Sequence, residues 1–156
     1  MRRDDSIIEL LNEVLTAELT SVNQYFVDAK MIANWGYERL AHHFRDESIG
    51  EMKDADELIG RILFLEGIPN LQRLGTVRVG ETVPEKLQLA LDLEYESIER
   101  LNRGIATCVE LGDNGTRELL VDILEGEEGH ADWLETQLGL VAQLGEVQYL
   151  AEHIHD

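Results

Sequence analysis

Glu127 and His130 stand three residues apart in the run Glu127-Glu-Gly-His130. On a helix this spacing sets a carboxylate and an imidazole side by side on one face. Such a pair can ligate one metal ion, and the carboxylate can bridge to a second. Glu51-Met-Lys-Asp54 repeats the spacing with aspartate where the imidazole would be. Two single acids, Glu18 and Glu94, sit within other apolar runs. Hard oxygen donors with one imidazole suit Fe(II) or Mn(II) and admit Zn(II). The lack of thiolate donors argues against a structural zinc site. An oxygen-rich pair of iron ions can pass two electrons to O2 or peroxide.

These residues interrupt apolar stripes of helical period. The first stripe reads Leu11, Val14 or Leu15, Glu18, Val22, Tyr25, Ala29; the second reads Leu40, Phe44, Glu47, Glu51, Asp54, Leu58, Ile62, Leu65. The third reads Leu87, Leu91, Glu94, Ile98, Leu101, Ile105, Cys108, and the fourth Leu120, Ile123, Glu127, His130, Leu134, Leu138. A carboxylate in an apolar seam is costly unless something pairs it. Acids at similar depth on four helices would converge on one point of a bundle, and the seams hold too few basic residues to neutralise them. A metal is the simplest compensation. The plainer alternative is a set of solvated acids, but unpaired acids are seldom buried.

The elements that must position these residues are all helical. The only prolines, Pro69 and Pro84, lie in or beside the stretch Gly67 to Val83, which also holds Gly75 and Gly80. The pattern predicts helices over about 5–35, 37–66, 84–111 and 113–144, and a short fifth helix over about 146–154, within one domain spanning 1–156. Short turns make each hairpin antiparallel. The second helix would be about 45 Å long at 1.5 Å per residue, and the crossover over 67–83 is just long enough to run back along it. One Glu from each of two helices, with paired ligands from the other two, is the pattern of di-iron carboxylate bundles. The expected fold is therefore all-α: a ferritin-like four-helix bundle with one long crossover.

The 156 residues carry a formal net charge of −19, which argues against nucleic acid or an anionic membrane as a partner and is compatible with concentrating cations. Cys108 is the only cysteine, so no intramolecular disulfide forms. Arginines follow Met1, but Asp4 and Asp5 come next instead of an apolar segment, and no run is long enough to span a bilayer. These features point to a cytoplasmic protein.

Four segments carry a family resemblance: Glu18-Leu-Thr-Ser-Val-Asn-Gln-Tyr-Phe26, Glu47-Ser-Ile-Gly-Glu-Met52, Arg61-Ile-Leu-Phe-Leu-Glu-Gly-Ile-Pro-Asn-Leu71 and Glu127-Glu-Gly-His-Ala-Asp-Trp-Leu-Glu135. From about Ile7 to Tyr149 the chain resembles the bacterioferritins. The resemblance implies a 24-subunit cage that oxidises Fe(II) with O2 or H2O2, stores ferric mineral and binds b-type haem at a twofold interface. It implies ferroxidase ligands at Glu18, Glu51, Glu94, Glu127 and His130, with Glu51 and Glu127 bridging, and a redox-active phenol at Tyr25. The family pattern has His at position 54, where this chain has Asp54. An inner-surface iron relay of some members would fall on Asp46 and Gly50, and glycine offers no ligand.

Met52, one residue from Glu51, must face outward if Glu51 and Asp54 face the seam. By spacing alone it is an interface filler. The resemblance makes it a haem axial ligand, one from each of two subunits, with Leu19, Asn23 and Phe26 lining the pocket wall. His42 and His43 are adjacent, cannot chelate together and are expected on the surface. His153 and His155 are expected in a frayed end. Trp35 and Trp133 are expected to pack, and Thr76–Val79 is expected as a short strand. Two other functions fit the pattern. One is a haem-carrying subunit with impaired ferroxidase activity, co-assembled with a homologous second subunit. The other is a peroxide-consuming di-iron enzyme. Iron release would require a redox partner.

Overall fold

Every regular element described is a helix: α1 (Asp5–Asn34), α2 (Glu38–Phe64), α3 (Val83–Leu111), α4 (Asn114–Leu144) and the short α5 (Glu146–Ala151). The computed structural model describes Met1 and residues 4–155; the N-terminal arginines, Arg2 and Arg3, lie outside the described residues. α1 packs most extensively on α2, and α3 on α4; α1–α3 and α2–α4 contacts close the bundle. This is a ferritin-like four-helix bundle with a short C-terminal helix. Among the described residues, no helix is long and apolar enough to cross a membrane.

Local chemistry sets the helix ends. Asp4 caps α1 by accepting from the Ser6 N–H at 2.9 Å. Thr82 caps α3 by accepting from the Glu85 N–H at 3.2 Å, and Glu85 reaches back to the Glu81 N–H at 2.7 Å. Gly112 ends α3 at φ 69°, a left-handed conformation that glycine adopts without cost. Asp113 then caps α4 by accepting from the Thr116 N–H, and Arg61 of α2 pairs with that Asp113 carboxylate at 3.1 Å.

The buried apolar core is split in two. One cluster includes Ile7, Leu11 and Leu15 of α1, Leu58 and Ile62 of α2, Leu101 and Cys108 of α3, and Leu120 and Ile123 of α4. The other includes Tyr25 and Ile32, Leu40 and Phe44, Leu87 and Leu91, and Leu134, together with Tyr149 of α5. On all four long helices the candidate ligands fall between the two clusters.

The crossover follows α1 and is held by side chains on one face of it. Asn12 accepts from the Asn70 N–H at 2.7 Å, Thr20 from the Gly75 N–H at 2.8 Å, and Gln24 from the Arg78 N–H at 3.1 Å. Within the single chain no strand forms over Thr76–Val79, where pairing across a subunit contact is the expectation; the Arg78 N–H is bound by Gln24.

The C-terminal segment also departs from expectation. α5 stops at Ala151, yet His153 is not frayed: its carbonyl accepts from the Arg39 N–H at 3.1 Å and its ring packs on Tyr149. The Tyr149 hydroxyl donates to Gln137 at 2.7 Å. α1 and α3 are pinned by a buried ion pair, Lys86 Nζ to Asp28 Oδ1 at 2.8 Å, with Lys86 Nζ also 5.5 Å from the Trp35 ring centroid.

Candidate metal centre

Glu18 of α1, Glu51 and Asp54 of α2, Glu94 of α3, and Glu127 and His130 of α4 come together between the two apolar clusters. They form two overlapping ligand groups. Glu51, Glu94, Glu127 and His130 make one, and Glu18, Glu51, Asp54 and Glu127 make the other; within each, one donor atom per residue lies within 4.8 Å of the rest. Glu51 and Glu127 belong to both groups, which is the placement a pair of bridging carboxylates needs.

Burial makes this cluster expensive without a cation. Glu51, Glu94 and Glu127 are fully buried and Glu18 is 1% exposed. No backbone N–H and no non-titrating side chain donates to either carboxylate oxygen of Glu51 or of Glu127, or to Glu18 Oε2 and Glu94 Oε2; only protons held by the cluster's own acids and His130 can reach them. Buried carboxylate oxygens are ordinarily satisfied, so this donor set fits divalent metal ions.

The electrostatics point the same way. Burial, then the Glu51 carboxylate, pushes the Glu18 carboxyl well above its ordinary range. Burial, then Glu18, does the same to Glu127. Burial also acts to raise Glu51, but hydrogen bonds involving Glu18, His130 and Glu127 outweigh it and hold Glu51 low. Burial, then Glu51, lifts Asp54 to about 7. The metal-free centre therefore relieves its repulsion by taking up protons, and metal binding must expel them.

This gives a pH dependence for the metal-free protein. Asp54 titrates near 3.8 when free and near 7 when folded. The folded state therefore binds more protons between these values, and stability falls as pH rises through that window. The Tm of the metal-free protein should decline from pH 5 to pH 8, and Asp54→Asn should flatten part of that decline. A Tm that rises over the same range would contradict the assignment.

Around the centre lie groups whose roles the sequence did not reveal. Glu47 Oε2 is 2.5 Å from His130 Nε2, while His130 Nδ1 lies 3.3 Å from Glu51 and 3.5 Å from Glu94. Glu47 thus fixes the ring so that Nδ1 faces the ligand cluster. Burial alone would lower the His130 pKa, but Glu47, Glu51 and Glu94 lift it to about 12 in the metal-free state. His43, expected on the surface, is instead half-buried. Its ring stacks on Trp133 with centroids 3.5 Å apart, and its Nε2 is 3.2 Å from Glu47. The i,i+4 spacing of His43 and Glu47 was the available signal. Tyr25 donates its hydroxyl to Glu94 at 2.5 Å, which places the phenol against a candidate ligand.

The remaining candidates lie elsewhere. Met52 and Phe26 are more than half exposed and Asn23 is exposed, while Leu19 is half-buried. The Asn23 amide donates to the Leu19 carbonyl at 2.8 Å. Asp46 is exposed and Gly50 half-buried, and neither enters the two ligand groups.

Residues 8–144 match the family model described as Ferritin-like domain. The bacterioferritin of Mycobacterium leprae (strain TN) is 48% identical over 152 residues, covering 97% of this chain and 96% of that protein. That of Streptomyces coelicolor is 48% identical over 97% of this chain and 90% of its own length. That of Brucella melitensis is 44% identical over 96% of this chain and 92% of its own. With identities of this size along nearly its whole length, the chain belongs to the ferritin-like domain family and, within it, to the bacterioferritins.

Proposed function

We propose that this chain binds two Fe(II) ions between its helices, oxidises them and passes ferric iron to a mineral inside a multi-subunit cage. One observation carries this: two ligand groups share the fully buried carboxylates of Glu51 and Glu127. Glu18 and Asp54 complete one position, and Glu94 and His130 the other. Iron is the substrate. Two Fe(II) give one electron each to O2, which takes two protons and leaves as H2O2, or to H2O2, which takes two protons and leaves as water. Glu47 holds the His130 ring, and Tyr25 lies close enough to Glu94 to exchange charge with the site.

Assembly into a 24-subunit cage and haem binding extend the proposal. Met52 offers one exposed thioether on an outer helix face that also exposes Ile49 and Leu63. One chain offers a single such ligand, so b-type haem with two thioether ligands must lie on a twofold axis. Thioether ligation favours the ferrous state, which suits delivering electrons from a redox partner for iron release. Particle mass and the visible spectrum test both points. Met52→Leu should keep the cage mass and lose the haem absorption; an unchanged haem spectrum in this variant would sink the assignment.

Asp54 favours a second reading, a haem-carrying subunit with impaired oxidation in a mixed cage. Five carboxylates and one neutral imidazole leave an excess negative charge over two Fe(II). In a poorly solvated site such an imbalance matters by several kcal/mol, on the order expected for buried charge. It holds Fe(III) more tightly, so ferric iron leaves slowly and repeated turnover is limited by that release. In stopped-flow measurements with successive additions of Fe(II), Asp54→His should sustain oxidation several-fold faster than the native chain after the first round, and equal or slower sustained oxidation would count against this. If neither oxidises iron faster than buffer, the mixed-cage reading leads.

A further inference from the structure

The two halves of the centre do not offer the same donors. Beyond the shared Glu51 and Glu127, one half adds a carboxylate and an imidazole, Glu94 and His130; the other adds two carboxylates, Glu18 and Asp54. Resting on the two-metal reading above, we propose that Asp54 makes the two positions select different ions. The Glu94–His130 position prefers Zn(II) strongly over Mn(II), whereas the all-oxygen Glu18–Asp54 position discriminates far less and admits Mn(II) or iron in competition with Zn(II).

The preference follows from donor type. Imidazole suits Zn(II) and iron, while carboxylates suit harder ions such as Mn(II). No imidazole can take the place of Asp54 in this structure. His130 Nε2 is occupied by Glu47, and its Nδ1 faces Glu51 and Glu94. His43 is stacked on Trp133 and its Nε2 lies against Glu47. Among the described residues, the Asp54 group contains only carboxylate oxygens. The buried, donorless oxygens of Glu18 and Glu127 mark it as a place for a cation rather than a solvated acidic patch. With Mn(II) in sufficient excess over Zn(II), the centre becomes mixed.

The test needs neither oxygen nor turnover. Metal-free protein is brought to equilibrium by dialysis against limiting free Zn(II) and a large excess of Mn(II), because Zn(II) is the tighter binder at a given donor set. Bound metals are counted by elemental analysis, with Mn(II) followed by electron paramagnetic resonance. The Glu127→Gln variant supplies the background from surface acids. Above that background the native chain should hold one Zn(II) and one Mn(II), and Asp54→His should hold two Zn(II). The Mn-to-Zn ratio at the second position should differ between the two by on the order of tenfold or more, from the change of donor type. Asp54→Asn keeps an oxygen donor without the charge; it should bind both ions more weakly but retain the native chain's weak discrimination against Mn(II). Circular dichroism confirms the fold of each variant. Two Zn(II) in the native chain, the same ratio in native and Asp54→His, or two Zn(II) in Asp54→Asn would overturn the inference alone. No metal above background in the native chain would overturn it together with the two-metal reading.

Discussion

Glu127→Gln is expected to weaken Fe(II) binding at both positions by more than about 100-fold, beyond the 10–100-fold effect of outer-shell changes. Glu127 is fully buried, belongs to both ligand groups and has no hydrogen-bond donor on either oxygen. Glutamine keeps the volume but cannot supply a charged bridging oxygen. The metal-free protein should nevertheless remain folded, with a Tm at pH 8 no lower than the native chain's. Burial and the Glu18 carboxylate already disfavour the ionised form of Glu127, so a neutral isostere loses little there. A residue retained for packing would show the opposite pattern, with stability lost and iron affinity kept. Isothermal titration under nitrogen and a thermal melt together distinguish the two.

Lys86→Met is expected to give the largest loss of stability, about 3–5 kcal/mol, as for breaking a buried ion pair from one side. Both side chains are essentially inaccessible, at 0% and 1% exposure, with Nζ 2.8 Å from Asp28 Oδ1. Asp28 Oδ2 already lacks a hydrogen-bond donor. Burial lifts Asp28 to about 6 despite the opposing pull of Lys86, so without that ammonium the carboxyl must take a proton or bring in water. The Tm should fall by more than about 6 °C, from roughly 2–4 °C per kcal/mol in a chain this size. Adding Asp28→Leu should recover most of the loss, because an apolar pair removes the stranded charge. A single Lys86→Met variant within about 1 kcal/mol of the native chain would contradict this account.

The acid layer was legible because its signal is local. Glu18, Glu51, Glu94 and Glu127 each break an apolar stripe near mid-helix, and four such breaks imply a common depth. The fold class followed from the same stripes and from one Pro- and Gly-bearing stretch too long for a hairpin. What escaped depends on partners distant in sequence. Nothing near Thr76–Val79 shows that Gln24 will bind the Arg78 N–H, so the segment read as a strand. Nothing near His153 shows that its carbonyl will meet Arg39. His43 was dismissed because adjacent histidines cannot chelate together, a rule that leaves each free to act alone. Asp28 and Lys86 lie far apart in sequence, and charged residues read by default as solvated. Glu47 stood on the second stripe, but its role needs the position of His130 across the bundle.

The proposed iron chemistry depends above all on two metal positions sharing Glu51 and Glu127. Anaerobic Fe(II) titration of the metal-free protein, followed by O2 with optical and Mössbauer spectroscopy, tests that most directly. Uptake should saturate at two Fe(II) per chain with proton release near neutral pH, and the iron spectra should show two distinct environments. O2 should then convert both to Fe(III) at a rate set by the site. Saturation at one Fe(II) or none, or the same uptake in Glu127→Gln, would contradict the two-metal centre.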